Sequence, residues 1–256
     1  MILLQTAAVA FAMFSAIPVP QPTWNEQNMR WALAAFPLVG VVCGLGIWLW
    51  VWVCQVLGAP AVLRAGGLCL IPVLITGGIH LDGYADTCDA LASWGDMEKR
   101  HAILKDPHCG AFALIRMCTY FAGYFALCGA LEATPRAVLC LALGFVLERT
   151  LSGWAVAARP LAKNTGLAHT FATAADRKIL ARLLLILAAV LAAGLVLAGG
   201  AAMAVAAGLV LWRYVYVAKG TFGGISGDLC GWFLQKCELW MLAALVGDQL
   251  VRRWLA

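Results

Sequence analysis

"LCLIPVLITGGIHLDGYADTCDAL", residues 68–91, changes character at its midpoint. No charged residue occurs up to Ile79, and then Asp82, Asp86 and Asp89 arrive within eight positions. The first half is apolar enough to lie in hydrocarbon. The second half gathers carboxylates where that apolar run ends. Which environment claims this stretch decides the fold.

The rest of the chain answers for lipid. Of 256 residues, 63% are hydrophobic and 12% charged, against about 25% charged in ordinary soluble domains. Mean hydropathy is +0.87. Crossing the hydrocarbon takes about 20 apolar residues as a helix, and such runs recur at 31–57, 62–79, 110–131, 136–158, 180–197, 201–219 and 232–251. The expected fold is all-α: a polytopic transmembrane helical bundle of about seven spans plus a short N-terminal helix. Residues 1–256 read as one integral-membrane domain, with no room for a separate soluble one. "MILLQTAAVAFAMFSAIPVPQP" lacks the positive start of a signal peptide. It reads as a retained apolar helix, stopped where Pro18, Pro20 and Pro22 forbid continuation.

Short links near 58–60, 132–135 and 197–201 make antiparallel hairpins, so the longer segments 18–30, 80–109, 159–179 and 220–231 share the opposite side. Those segments and their flanking helix ends hold ten basic residues (Arg30, Lys99, Arg100, Lys105, Arg159, Lys163, Arg177, Lys178, Arg182, Lys219). The other side holds four (Arg64, Arg136, Arg252, Arg253). The bias places the long segments on the cytoplasmic side. The net charge of +5 follows from this topology. Nucleic-acid binding would need a clustered, solvated basic face. The ten cysteines lack any CxxC and lie mostly in apolar spans, so no disulfide framework is expected.

Six of the thirteen acidic residues fall between positions 82 and 106. On a helix, Asp82, Asp86 and Asp89 are i, i+4 and i+7, within roughly 60° of one another. Three carboxylates on one stripe repel unless a cation sits among them. Hard oxygen ligands beside a membrane suit Mg²⁺, which keeps positions open for substrate phosphates. A solvated acidic face would be the ordinary reading on a soluble protein. Next to a span, ionisable groups usually face a cavity and have a purpose. His80 is a candidate substrate contact. In "ILKDPHCGAF", residues 103–112, Pro107 and Gly110 leave Lys105, Asp106 and His108 in a turn at the membrane surface. Lys105 suits a phosphate there, and Asp106 suits a ligand or base. Glu148 and Arg149 stand inside a span, with Arg149 either paired locally or serving as an anion contact. "RPLAKNTGLAHTF", 159–171, offers Arg159, Lys163, Asn164 and His169; "GTFGGISGDLCGW", 220–232, offers Gly223, Gly224 and Asp228. The backbone of a Gly-rich loop can approach phosphate closely.

At this point the chain resembles the cobalamin synthase family, adenosylcobinamide-GDP ribazoletransferase. The resemblance rests on "GGIHLDGYADTCDAL", "ILKDPHCGAFAL", "KNTGLAHTF" and "GGISGDLCGW", in the family's order and at similar spacing, with "FSAIPVP" near the start. It implies an inner-membrane, multi-pass, Mg²⁺-dependent transferase with its active site facing the cytoplasm. Its substrates would be adenosylcobinamide-GDP and α-ribazole or its 5′-phosphate, and it would release GMP. It also implies metal ligation by Asp82, Asp86 and Asp89, catalytic roles for Asp82, Lys105 and Asp106, and a substrate role for Asp228. Tyr84, Cys88, Ala90 and the run Pro107-His108-Cys109 depart from the family's pattern without removing a carboxylate.

Three other readings differ in what they require. A CDP-alcohol phosphotransferase needs D-G-x-x-A-R and a second acidic half, which is missing. A prenyltransferase needs two Asp-rich motifs on different helices. A cation-coupled transporter needs acids deep in several spans, whereas these collect at one face. Membrane lipid is the surrounding partner. Small-residue stretches such as "GGLCLIPVLITGG" also permit packing against a second copy, a homo-oligomer.

Overall fold

The computed structural model describes residues 2–162, 170–171 and 176–255. Its helices are α1 (Ile2–Phe14), α2 (Glu26–Met29), α3 (Ala32–Ala35), α4 (Pro37–Val56), α5 (Ala61–Thr76), α6 (Ile79–Ala92), α7 (Met97–Ile103), α8 (Ala111–Ala130), α9 (Pro135–Ala158), α10 (Arg177–Leu197), α11 (Ala201–Phe222) and α12 (Gly227–Leu255). No strand occurs among the described residues; one isolated bridge joins Leu161 to Ile225. Six helical stretches are long and apolar enough to cross a membrane, or seven if the bent pair α5–α6 counts as one span. This is the all-α, polytopic bundle expected.

Two boundaries differ from the sequence reading, each for a local reason. The apolar run 62–79 does not continue straight: α5 stops at Thr76 and α6 leaves at 95°. Gly77 and Gly78 take φ of 65° and 79°, a left-handed conformation that glycine adopts without steric penalty. The acidic helix therefore lies across the end of α5. At the other end of the chain, α12 begins at Gly227 instead of about residue 232. The Ser226 hydroxyl accepts from the Leu229 N–H at 3.3 Å, a side-chain cap that starts the helix early. Asp228 thus sits in the first turn of α12 and not in a loop.

The interior centres on α9 and α12, each with 67% of its apolar window buried. α9 packs mainly on α4 and α10, α12 mainly on α6 and α11. Helix α10 is the opposite case, with Leu183, Ile186 and Val190 all exposed. Such an outer face belongs against lipid tails. All ten cysteines are free.

Candidate functional site

Two glycines set the site by letting α6 and α12 cross closely. A Cβ at Gly83 would lie 2.8 Å from both the Cα and the carbonyl oxygen of Asp228, and one at Gly231 would lie 2.6 Å from the His80 carbonyl oxygen. Backbone-to-backbone approach of this kind is how small residues bring membrane helices together. Its consequence is chemical. Asp228, far away in sequence, joins the stripe on α6, where the charges of Asp82, Asp228 and Asp89 all act on the Asp86 carboxyl. Asp86 thus feels three other carboxylates, and neither Asp82 nor Asp86 makes an ion pair with any described residue.

The stripe divides by role. Asp82 is exposed and Asp86 half-buried. Asp89 is engaged: its two carboxylate oxygens accept the N–H groups of Gly110 at 2.7 Å and Ala113 at 2.8 Å. It caps α8, and a carboxylate is favoured there by the orphan N–H groups and the positive end of the helix. The third aspartate therefore fastens the turn carrying Lys105, Asp106 and His108 to the acidic helix.

In that turn all three side chains are exposed. Asp106 accepts from the His108 backbone N–H at 3.0 Å and contacts its ring nitrogen Nδ1 at 2.7 Å. The backbone N–H of His108, then its ring, hold the Asp106 carboxyl below the usual carboxylate range. That suits an anion or a ligand better than a proton acceptor.

Behind the acids lies a cavity of about 280 Å³, whose lining includes Asp82, Asp228, His80, Ser152, Phe36 and Phe171. Its walls are chiefly apolar, with the carboxylates on one side. The His80 ring is buried, edge-on to Phe36 at 5.7 Å, and its Nε2 has no hydrogen-bond partner among the described residues. A buried imidazole nitrogen without a partner, on a residue that lines a cavity, is a candidate contact for a ligand. Ser152 was not singled out by sequence; a serine on an apolar span gives too weak a signal.

The remaining candidates fall elsewhere. Arg149 is wholly buried and does not line the cavity. Its Nη1 donates to Glu148 at 2.5 Å and to the Phe145 carbonyl at 3.1 Å, and its Nη2 lies 3.7 Å from Glu238. Tyr120 donates to Glu238 at 3.4 Å. Both local pairing and a second partner thus occur, and the guanidinium is spent on carboxylates. Glu238 was missed, although an acid in the middle of "LQKCELWML" (234–242) was a legible signal. Arg159 lies over the Trp154 ring at 5.0 Å, lining a different cleft. Gly223 closes α11 with φ 74°, and Gly224 presses against the backbone of Leu161 and Ala162. Lys163, Asn164 and His169 lie outside the described residues.

Would these residues suit a divalent ion? Among the described residues, no three His, Cys, Asp or Glu side chains stand close enough together to hold one by themselves. The donors are nevertheless the hard oxygens that Mg²⁺ takes, and Asp82 and Asp86 carry no ion pair with a described residue. Mg²⁺ also commonly uses only one or two carboxylates, completing its shell with water and substrate phosphate. One or two of Asp82, Asp86 and Asp228 would suffice in that mode, with Asp89 partly committed to α8.

Fold and site together define a polytopic integral-membrane protein with a carboxylate cluster set over an apolar cavity at one end of the bundle. Comparison with known proteins makes the class specific. The family model described as cobalamin-5-phosphate synthase matches residues 6–246, and the chain belongs to that family. A relative from Lachnoclostridium phytofermentans, named adenosylcobinamide-GDP ribazoletransferase, is 41% identical over 247 residues, 95% of this chain and 94% of its own length. Relatives of the same name from Pseudomonas putida (33% identical, covering 93% of this chain and 96% of their own) and Clostridium botulinum (28%, covering 90% and 92%) are similar along nearly the whole length. No solved structure matches the chain.

Proposed function

We propose that the acidic end of the bundle carries out ribazole transfer in cobalamin biosynthesis. A hydroxyl of α-ribazole, or of its 5′-phosphate, attacks the phosphorus that bears the corrinoid in adenosylcobinamide-GDP. The bond from that phosphorus to the GMP oxygen breaks, giving adenosylcobalamin or its phosphate plus GMP. The observation that supports this most is the meeting of Asp228 with Asp82 in the lining of the cavity, both close enough for their charges to act on Asp86. Carboxylates alone would repel a diphosphate, so such a site needs a cation between the two.

In this reading Asp82, Asp86 and Asp228 hold Mg²⁺, which when bound neutralises the diphosphate and stabilises the departing phosphate. Phosphoryl transfer depends chiefly on positioning and charge. The apolar cavity excludes water, so the ribazole hydroxyl meets little competition as nucleophile. The unpartnered His80 Nε2 is a candidate hydrogen-bond contact for bound substrate, and the exposed Lys105 offers a cation to phosphate. The tethered α8 turn keeps that lysine near the acidic helix.

The acidic end faces the cytoplasm of an inner membrane, an orientation favoured by ten basic residues against four. A single cysteine at Trp94, which is fully exposed, placed in a chain cleared of Cys109 and Cys118, should react with impermeant reagent only after cells are opened. Reaction in intact cells would reverse the orientation. The activity is tested by assaying purified protein with adenosylcobinamide-GDP and α-ribazole, with and without Mg²⁺. Transfer that is unchanged under chelation would remove the metal from this account, and absence of any transfer would remove the reaction itself.

A further inference from the structure

Ser152, Gly153 and Val156 of α9 line the cavity, while Trp154 and Arg159 turn to a separate cleft against α11. This cleft, about 720 Å³, is lined by Trp154, Arg159, Gly208, Trp212, Tyr216 and Lys219 among others, and it shares no lining residue with the acidic cavity. Its composition is graded along the helix axis. Arg159 and Lys219 stand at the end of the bundle that carries the aspartates. Trp212 and Tyr216 come next, stacked with ring centroids 6.1 Å apart, with Arg213 over Tyr216 at 5.9 Å. Gly208 and Leu211 lie deepest.

The grading matches one class of ligand. From Lys219 to Gly208 is eleven residues of helix, roughly 16 Å, which is half the roughly 30 Å of a bilayer's hydrocarbon. Tryptophan and tyrosine sit at the headgroup boundary, and basic pockets between spans bind anionic headgroups. Neither Arg159 nor Lys219 makes an ion pair with a described residue. Deeper in, an added Cβ at Gly208 would meet nothing within 4 Å, so the groove floor is open there. A soluble phosphate compound would use the cations but not the half-bilayer groove below them.

We propose that the α9–α11 cleft is a binding site for a phospholipid with an anionic headgroup, its phosphate on Arg159 and Lys219 and one acyl chain along Gly208 and Leu211. Because α9 has the cleft on one face and the acidic cavity on another, a seated lipid steadies one wall of the cavity. The proposal rests on the packing of α9 and α11 and does not depend on the reaction assigned above.

The test uses the full chain in nanodiscs of phosphatidylcholine containing a minor fraction of phosphatidylglycerol, with lipid retained through detergent extraction read by native mass spectrometry. Wild type should retain phosphatidylglycerol selectively. Arg159→Gln with Lys219→Gln should bind it roughly twenty-five-fold more weakly, from about fivefold for each basic residue at the headgroup level. Arg252→Gln with Arg253→Gln, at the opposite end, should retain it. Gly208→Phe fills the groove without touching charge and should also lose the lipid, which keeps the test decisive if the double variant folds poorly. Equal retention by wild type and the Arg159/Lys219 variant, or equal retention of phosphatidylcholine, would overturn the site. So would displacement of the lipid by millimolar inorganic phosphate or GMP, which would make the cleft a soluble-phosphate site.

Discussion

Asp82 and Asp89 lie seven residues apart on one helical stripe; the structure engages Asp89 in hydrogen bonds, and the proposed function gives Asp82 to the metal. Replacing each by asparagine separates the two. Asp89 accepts N–H groups at 2.7 and 2.8 Å. An amide keeps one acceptor and turns an NH₂ towards the other N–H, so one bond to a charged acceptor is lost, about 1.5–3 kcal/mol. Loss of the negative charge at the start of α8 adds about 0.3–1 kcal/mol. Relief of repulsion from Asp86 offsets part of this, leaving a destabilisation of roughly 2–3 kcal/mol. Asp82 is exposed and unpaired among the described residues, so Asp82→Asn should change stability by no more than about 0.5 kcal/mol while Mg²⁺-dependent transfer collapses. Asp96→Asn is the control. Asp96 caps α7 through the Lys99 N–H at 2.9 Å, and asparagine caps as well as aspartate, so both readouts should stay near wild type. The assay pairs thermal unfolding in detergent with transfer measured across a Mg²⁺ titration. If Asp89→Asn unfolds where Asp82→Asn does, the cap is not structural. If Asp82→Asn transfers like wild type at every Mg²⁺ concentration, the metal assignment is wrong.

Two further outcomes follow from packing and charge. Gly83→Ala places a methyl 2.8 Å from backbone atoms of Asp228 that cannot rotate away. It should cost about 1–3 kcal/mol and lower transfer by separating Asp228 from the stripe, whereas Gly123→Ala, with nothing within 4 Å, should do neither; equal melting of the two variants would contradict the close crossing. Arg149→Met strands Glu148 and Glu238 in the interior and should destabilise by about 3–5 kcal/mol, with much of the loss recovered when both glutamates are also made glutamine; an Arg149→Gln protein with full expression and activity would show that the pair carries no weight.

The fold was largely legible because lipid permits few solutions. Runs of apolar residues with short Gly/Pro links between them leave helices as the only spanning form. What was not legible was the bend at Gly77–Gly78. A glycine pair inside an apolar run is compatible with a straight membrane helix, and only the surrounding packing selects the left-handed pair. Of the candidate site, the helical stripe of 82, 86 and 89 was legible, since these positions repeat with the helix. The partition within it was not, because hydrogen bonds to Gly110 and Ala113, more than twenty residues away, leave no periodic trace. Arg149 shows the limit from the other side. Its burial was expected from its place in a span, but its partner Glu238 lies 89 positions on, on another helix, and adjacency drew attention to Glu148 first.

Distance in sequence also explains why the same small residues serve fold and chemistry. Asp82 sits beside Gly83, and Asp228 beside Gly227 and three residues before Gly231. Were α6 and α12 held apart by ordinary side chains, at the 8–10 Å typical between helix axes, the carboxylates would be separated by the same margin. An ion shared between them would then lose a ligand. Close crossing has its own electrostatic consequence, since it forces like charges together at the rim of an apolar cavity. The packing of backbone on backbone supplies the attraction that keeps them there, and under the proposed function a divalent ion would remove the repulsion. Helix association and metal binding would then be coupled through Gly83. A substitution at that glycine should weaken Mg²⁺ binding as well as folding, and saturating Mg²⁺ should raise the unfolding temperature of wild type more than that of Gly83→Ala.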